Sequence, residues 1–199
     1  MSEPAWHLAS RPAAETWTLV AAELSAAVRS GRHPFHLFTI ATLGSDGSPR
    51  ARTVVLRGFD AAAREIRFHT DARSPKAAEL AADGRAALHW YDLAGRLQIR
   101  ITAQATLHHE DAVARQAWEA ASPMSRGCYT SQAAPGTPLP AVPAAPPPAG
   151  PDDARGLANF AVVCCRFDAV ELLALHASGH ERLRLDLDGP EPLTTILAP

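Results

Sequence analysis

Between Arg96 and Leu107 the chain alternates without a break. Leu97, Ile99, Ile101, Ala103, Ala105 and Leu107 interleave with Gln98, Arg100, Thr102, Gln104 and Thr106. A period of two sends these sets to opposite faces of a strand, so one face is buried and the other is not. A strand this long exceeds the usual globular length of about 5–6 residues and suits a barrel, whose tilted strands run far.

The neighbouring segments supply its partners. His36–Leu43 is β-branched and aromatic, Ser45-Asp46-Gly47-Ser48 is a turn signal, and Arg50–Arg57 reads as a second strand. A turn at Asp60–Arg64 precedes Glu65–Thr70, which makes an antiparallel meander. Ala86–Tyr91, Phe160–Phe167, Ala169–Leu175 and Arg182–Leu187 read as further strands. Helical spacing appears in three places. Trp17, Val20, Ala21, Leu24 and Val28 predict a helix over about Ala13–Arg29, with Ser10 and Pro12 as start signals and Gly31 as its left-handed terminator. Ser74 as N-cap and Pro75 at the first position open a short helix through Ala77, Leu80 and Ala81 that ends at Asp83-Gly84. Glu110–Ala120 is the third. Many strands with three peripheral helices predict a mainly β fold, a barrel with helical additions. The lack of regular alternation between strands and helices argues against a doubly wound parallel sheet.

At 199 residues the chain is expected to form one domain, with an Ala-, Pro- and Gly-rich insertion at about 133–154. That stretch can hold neither a helix nor a central strand, because proline removes donors and fixes φ, so it is expected to be an extended or mobile surface loop. A formal net charge of −2 gives no basis for binding nucleic acid or anionic membrane. No apolar run has the length of a membrane span or the look of a signal peptide, so the expected location is the cytoplasm. The three cysteines, Cys128 and the vicinal Cys164-Cys165, read as small apolar fillers in a reducing compartment.

Several chemistries find no motif. The nine histidines form no H-E-x-x-H and no zinc spacing, so no metal is expected. There is no G-x-S-x-G elbow, G-x-G-x-x-G or Walker loop, and no catalytic residue can be assigned. What remains is a set of anion-binding groups: Arg52 and Arg57 at the ends of Arg-Thr-Val-Val-Leu-Arg, then Thr70, Ser74 and Lys76 around a helix start. Guanidinium and ammonium groups, hydroxyls and a helix N-terminus together suit a phosphate monoester. Arg52 and Arg57 have opposite parity on one strand. A bulge, or a site shared by two subunits, would reconcile them.

The runs Arg52–Arg57, Phe68–Lys76 (Phe-His-Thr-Asp-Ala-Arg-Ser-Pro-Lys), Leu88–Tyr91 and Leu97–Ile101 resemble the FMN-binding split-barrel family of pyridoxamine 5′-phosphate oxidase, in its oxidase-related branch. The resemblance extends from about Trp6 to Phe167, with a weaker echo over Gly179–Pro199. It implies FMN as cofactor, with Arg52 and Lys76 on the phosphate assisted by Ser74 and Thr70. Thr53, Val54 and Val55 would lie along the flavin ring, and Arg57 near its reactive face. Gln98 would reach the flavin across a subunit interface and Gln132 from the partner chain, which implies a homodimer. The family's substrate-holding Tyr and Arg are replaced by Trp118 and Ser122, and its Arg-x-His reads Arg182-Leu183-Arg184. Arg126, Arg182 and Arg184 therefore stand as the candidates for holding substrate. The implied activity is hydride transfer from a small substrate to FMN with reoxidation by dioxygen. The alternatives are a non-catalytic flavin-sequestering protein, or a split barrel using haem or deazaflavin.

Overall fold

The long alternating segment is a strand that serves three partners. In the computed structural model, which describes residues 6–199, it runs from Leu97 to His109. In chain order the elements are α1 (Ala13–Arg29), β1 (Leu37–Leu43), β2 (Pro49–Val55), β3 (Gly58–Asp60), β4 (Glu65–Asp71), α2 (Pro75–Ala82), β5 (Arg85–Asp92), β6 (Leu97–His109), α3 (Ala112–Ala120), α4 (Pro123–Gly127), α5 (Ala154–Asn159), β7 (Phe160–Arg166), β8 (Ala169–Ala174), β9 (Glu181–Asp186) and β10 (Leu193–Leu197). One edge of β6 pairs with β5 over Leu97–Gln104. Its other edge pairs with β8 over Leu97–Arg100 and with β7 over Gln104–His109. Two sheet branches thus diverge from a single strand, and the result is a split barrel with peripheral helices.

Strand β4 corrects the expected meander. It pairs with β7 along all seven of its residues, and β2 pairs with β1 alone. The switch occurs at the end of β2. Leu56 N–H still donates to the His36 carbonyl, but Arg57 N–H donates to Arg67, which turns the chain onto β4. Strand β2 is therefore an open edge.

Alternation decides the core. Ile40, Leu88, Trp90, Ile99 and Ile101 from the central strands pack with Leu24 of α1 and Phe68 of β4. A smaller cluster of Trp118, Phe160, Val162 and Cys164 lies between α3 and the other face of β7. The vicinal cysteines divide between these clusters, Cys165 in the main core and Cys164 in the smaller one. All three thiols are free, and the filler reading fails for Cys128, which is exposed.

Helix α1 has the predicted bounds, but Gly31 is not its left-handed terminator. Ser30 simply turns extended, at φ −130°. Gly47, at φ +76°, does take the left-handed turn position between β1 and β2. Two short helices, α4 and α5, and the strands β3 and β10 had not been expected. The proline-rich segment is anchored at its C-terminal end. Ala149 is buried and its N–H donates to the Pro123 carbonyl, and Trp118 Nε1 donates to Pro151 at 2.7 Å. Gly127 lies so close to Pro147 that a Cβ there would strike the Pro147 carbonyl.

Candidate functional site

Helix α2 covers the end of the barrel where β2 and β4 part. Arg52, on the core-facing side of β2, donates from Nη2 to Glu79 Oε2 of α2 at 2.7 Å and from Nη1 to Thr42 Oγ1. Thr42 also donates to Glu79 at 2.6 Å. Lys76, one turn earlier on α2, donates to Thr70 Oγ1 at 3.1 Å and approaches Ser74 Oγ at 3.5 Å. The Ser74 hydroxyl does not cap its helix, against expectation. It faces Thr70 Oγ1 at 3.1 Å because that buried hydroxyl and Lys76 compete for it.

The electrostatics of this cluster favour an anion. Burial lowers the Lys76 pKa, and the neighbouring Arg52 lowers it further. Burial alone would raise the Glu79 carboxyl, but hydrogen bonds from Thr42 and Arg52 outweigh it and leave the group below its ordinary value. Two cations, three buried hydroxyls and the Glu79 carboxylate therefore share this site. Beside it runs the open edge of β2, where Thr53 and Val55 face outward and Val54 faces the core. An unpaired strand edge offers free backbone donors and acceptors.

Arg57 is not part of this cluster. It lines a cleft of about 470 Å³ with His69, Gln116, Ser122, Ser125 and Val162. His69 and Thr70 are consecutive on β4 and so face opposite sides, which resolves the parity conflict between Arg52 and Arg57. His69 packs edge-on against Phe160, with ring centroids 4.8 Å apart, and its Nδ1 is buried without a hydrogen-bond partner among the described residues. Burial, reinforced by Arg57, lowers its pKa to about 4, so the ring is neutral at physiological pH.

Gln98 lies elsewhere again, on the outer face of β6 and opposite Leu173 of β8, which in turn lies opposite Arg182 of β9. Arg52 is linked by register through Ile40 and Leu88 to Ile101, three residues beyond Gln98 on β6. At sheet spacing, three strands and three residues separate Gln98 from Arg52 by roughly 17 Å, on opposite faces. Arg182 and Arg184 share this outer face. Arg182 donates to Glu171 at 2.8 Å, and Arg184 to Asp186 at 2.7 Å. Gln132 sits beside the Asp71–Arg73 ion pair of its own chain, where its carbonyl accepts from Arg73 at 3.1 Å.

Arg126 has a structural role. It is buried, and it donates to the Ala149 carbonyl at 3.0 Å and to the Trp118, Glu119 and Ala121 carbonyls at the end of α3. Its guanidinium also lies 5.9 Å from the Trp118 ring centroid. Its Nε and Nη1 are engaged in holding α3 to the proline-rich segment. The residues not foreseen are Glu79, Thr42, His69 and Gln116. Of these only Glu79 left a trace, a carboxylate one turn after Lys76 on a helix with no other acid.

Residues 15–109 match the family described as pyridoxamine 5′-phosphate oxidase, FMN-binding domain. A pyridoxine/pyridoxamine 5′-phosphate oxidase of Cupriavidus metallidurans is 43% identical over 63 residues, which is 31% of this chain and 29% of that protein. The Rubrobacter xylanophilus protein of the same description is 36% identical over 86 residues, 42% of this chain and 39% of that one. The matched segments thus span well under half the length of these relatives. Among solved structures, a pyridoxamine 5′-phosphate oxidase-related, FMN-binding protein of Nostoc punctiforme superposes with TM-score 0.74 at 26% identity, covering 92% of this chain and 97% of that one. PhzG of Burkholderia lata, solved with tetrahydrophenazine-1-carboxylic acid, superposes with TM-score 0.69 at 24% identity, covering 96% and 95%, and shows the same fold.

Proposed function

The chain belongs, over residues 15–109, to the FMN-binding domain of the pyridoxamine 5′-phosphate oxidase family, and from that premise we propose that it is an FMN-dependent oxidoreductase acting on a small substrate. The carrying observation is the α2 cluster. Lys76 lies over the Thr70 and Ser74 hydroxyls and Arg52 over Thr42, close enough for each cation to feel the other, with the Glu79 and Asp71 carboxylates nearby. A phosphate there gains charge-assisted hydrogen bonds from both cations. From that anchor the edge of β2 at Thr53–Val55 offers backbone groups to a planar ring.

When bound, FMN supplies a hydride acceptor that dioxygen reoxidises. The protein's part is binding and orientation. Arg57, Ser122, Ser125 and Gln116 offer hydrogen bonds to a polar substrate in the cleft, and neutral His69 can accept or donate one there. Gln98 and Arg182, remote from Arg52 within one chain, belong in this reading to the site of a second subunit in a homodimer. Exposed Leu37 and Tyr91 on the same outer face are consistent with such an interface. The thiols, free of disulfides, fit a cytoplasmic setting, and no described helix is long and apolar enough to cross a membrane. Residues 133–154 are read as an insertion within one domain.

The substrate is not expected to be pyridoxamine 5′-phosphate. Trp118 is buried with its indole N–H on Pro151, and Arg126 is buried with Nε and Nη1 on backbone carbonyls, so neither is read as an exposed phosphate clamp. Two measurements test the proposal. The first is the absorption spectrum and mass of the cofactor released from purified protein, and any cofactor other than FMN would refute the reading. The second is hydrogen peroxide formation from pyridoxamine 5′-phosphate. Robust turnover at micromolar substrate would overturn the exclusion.

A further inference from the structure

We propose that His7, His176 and Glu181 form a binding site for one divalent transition cation of the zinc type. The three residues are separated by up to 174 positions in sequence, yet their candidate ligand atoms all lie within 4.8 Å of one another. His7 comes from the segment before α1, His176 from the turn between β8 and β9, and Glu181 from the first position of β9. None belongs to the α2 cluster, to the cleft around Arg57 or to the Gln98 row.

Three observations make this a built arrangement. His176 is only 8% exposed, and its Nε2 has no hydrogen-bond partner among the described residues. A buried polar atom without a partner is costly, so such atoms are uncommon unless something binds them. Next, the two imidazoles stack with centroids 5.5 Å apart and planes 4° from parallel, which sets the His7 ring beside that orphaned one. Finally, Glu181 is held in place. Its Oε2 accepts the backbone N–H groups of Leu8 and Ala9, the latter at 2.9 Å, and Oε1 is left for a further partner.

Donor chemistry selects the cation. Two imidazole nitrogens and one carboxylate suit zinc and its borderline neighbours, whereas calcium and magnesium prefer all-oxygen shells. Tetrahedral ligation at about 2.0–2.1 Å places ligand atoms roughly 3.4 Å apart, so closure needs side-chain movements of about 1–1.5 Å. Exposed His7 can supply these by rotation. A bound cation would tie the segment at Trp6–Leu8, whose Trp6 and Leu8 are core residues, to the β8–β9 turn. It would also brace the start of β9, which carries Arg182.

The test uses FMN-loaded protein stripped of divalent ions by chelator. Zn²⁺ is titrated calorimetrically, and Co²⁺ is titrated by its visible ligand-field absorption. One Zn²⁺ per chain is expected, together with a rise in melting temperature and tetrahedral cobalt bands. His176→Ala should weaken Zn²⁺ binding by at least about 100-fold. His7→Ala is the second variant, because His7 is exposed and its loss leaves the core intact. It should also weaken binding while flavin absorbance stays unchanged. Absence of binding at 100-fold excess Zn²⁺, or binding that both variants retain within about threefold, would overturn the assignment.

Discussion

His69 gives the stability of this protein a pH dependence that can be isolated. The ring is largely buried against Phe160 and faces the Arg57 guanidinium, and its pKa falls from 6.5 to about 4. Because the folded pKa is depressed, the unfolded chain binds the proton more readily. The stabilisation is therefore complete above about pH 6.5 and is lost as pH falls toward 4. The separation of about 2.5 units corresponds to roughly 3 kcal/mol in full, of which about 2 kcal/mol is lost between pH 7.5 and pH 5.0. The assay is urea unfolding of flavin-free protein at these two pH values, for wild type and His69→Gln. Other titrating groups contribute nearly equally to both proteins and cancel in the comparison. Wild type should lose about 2 kcal/mol more than the variant over this interval. Equal losses in the two proteins would mean that His69 is solvated or paired, and the argument from its burial would be wrong.

Three other perturbations probe the remaining assignments. Arg52→Ala should weaken FMN binding by about 2–3 kcal/mol, read by fluorescence quenching of added flavin, since a phosphate loses a charge-assisted partner; undiminished affinity would remove Arg52 from the phosphate site. Arg126→Met should lower stability by about 1–3 kcal/mol, because buried backbone carbonyls lose a donor; a change under about 0.5 kcal/mol by urea titration would contradict the structural role. Deleting residues 138–145, which are exposed throughout, should leave the melting temperature nearly unchanged, whereas deleting 146–151 should lower it, since Ala149 and Pro151 hold Arg126 and Trp118; equal effects of the two deletions in differential scanning calorimetry would refute the anchoring.

What could be read from the sequence was whatever local periodicity encodes. Helix α1 and strand β6 carry unbroken patterns over long stretches, so their faces and approximate ends are visible. Strand β10 carries no such pattern because it is exposed on both faces but for its last residue, and β3 has only three residues. Helices α4 and α5 are a single turn or so, too short for a period, although Ser122 and Asp153 do cap them as such residues commonly do. Pairing was the larger gap. The partner of β4 is β7, some ninety residues downstream, and no local signal names it. In the site, Thr70, Ser74 and Lys76 could be grouped because they surround one helix start. Arg126 could not be judged, because a buried arginine satisfied by carbonyls has the same letters around it as an exposed one. His7, His176 and Glu181 are brought together only by the closing of the chain.

Strand β6 carries a consequence for how the molecule can be taken apart. Strands β7, β8 and β9 pair with the earlier half through hydrogen-bond ladders to β4 and β6, and the polypeptide joining the two halves is the exposed proline-rich stretch. A break placed there severs no ladder. Two separately expressed polypeptides, one ending and one beginning near residue 141, therefore retain every strand pairing between them. Each presents an unpaired strand edge that only the other satisfies, so the pair is a natural starting point for a split reporter whose reassembly is read by the recovery of flavin binding.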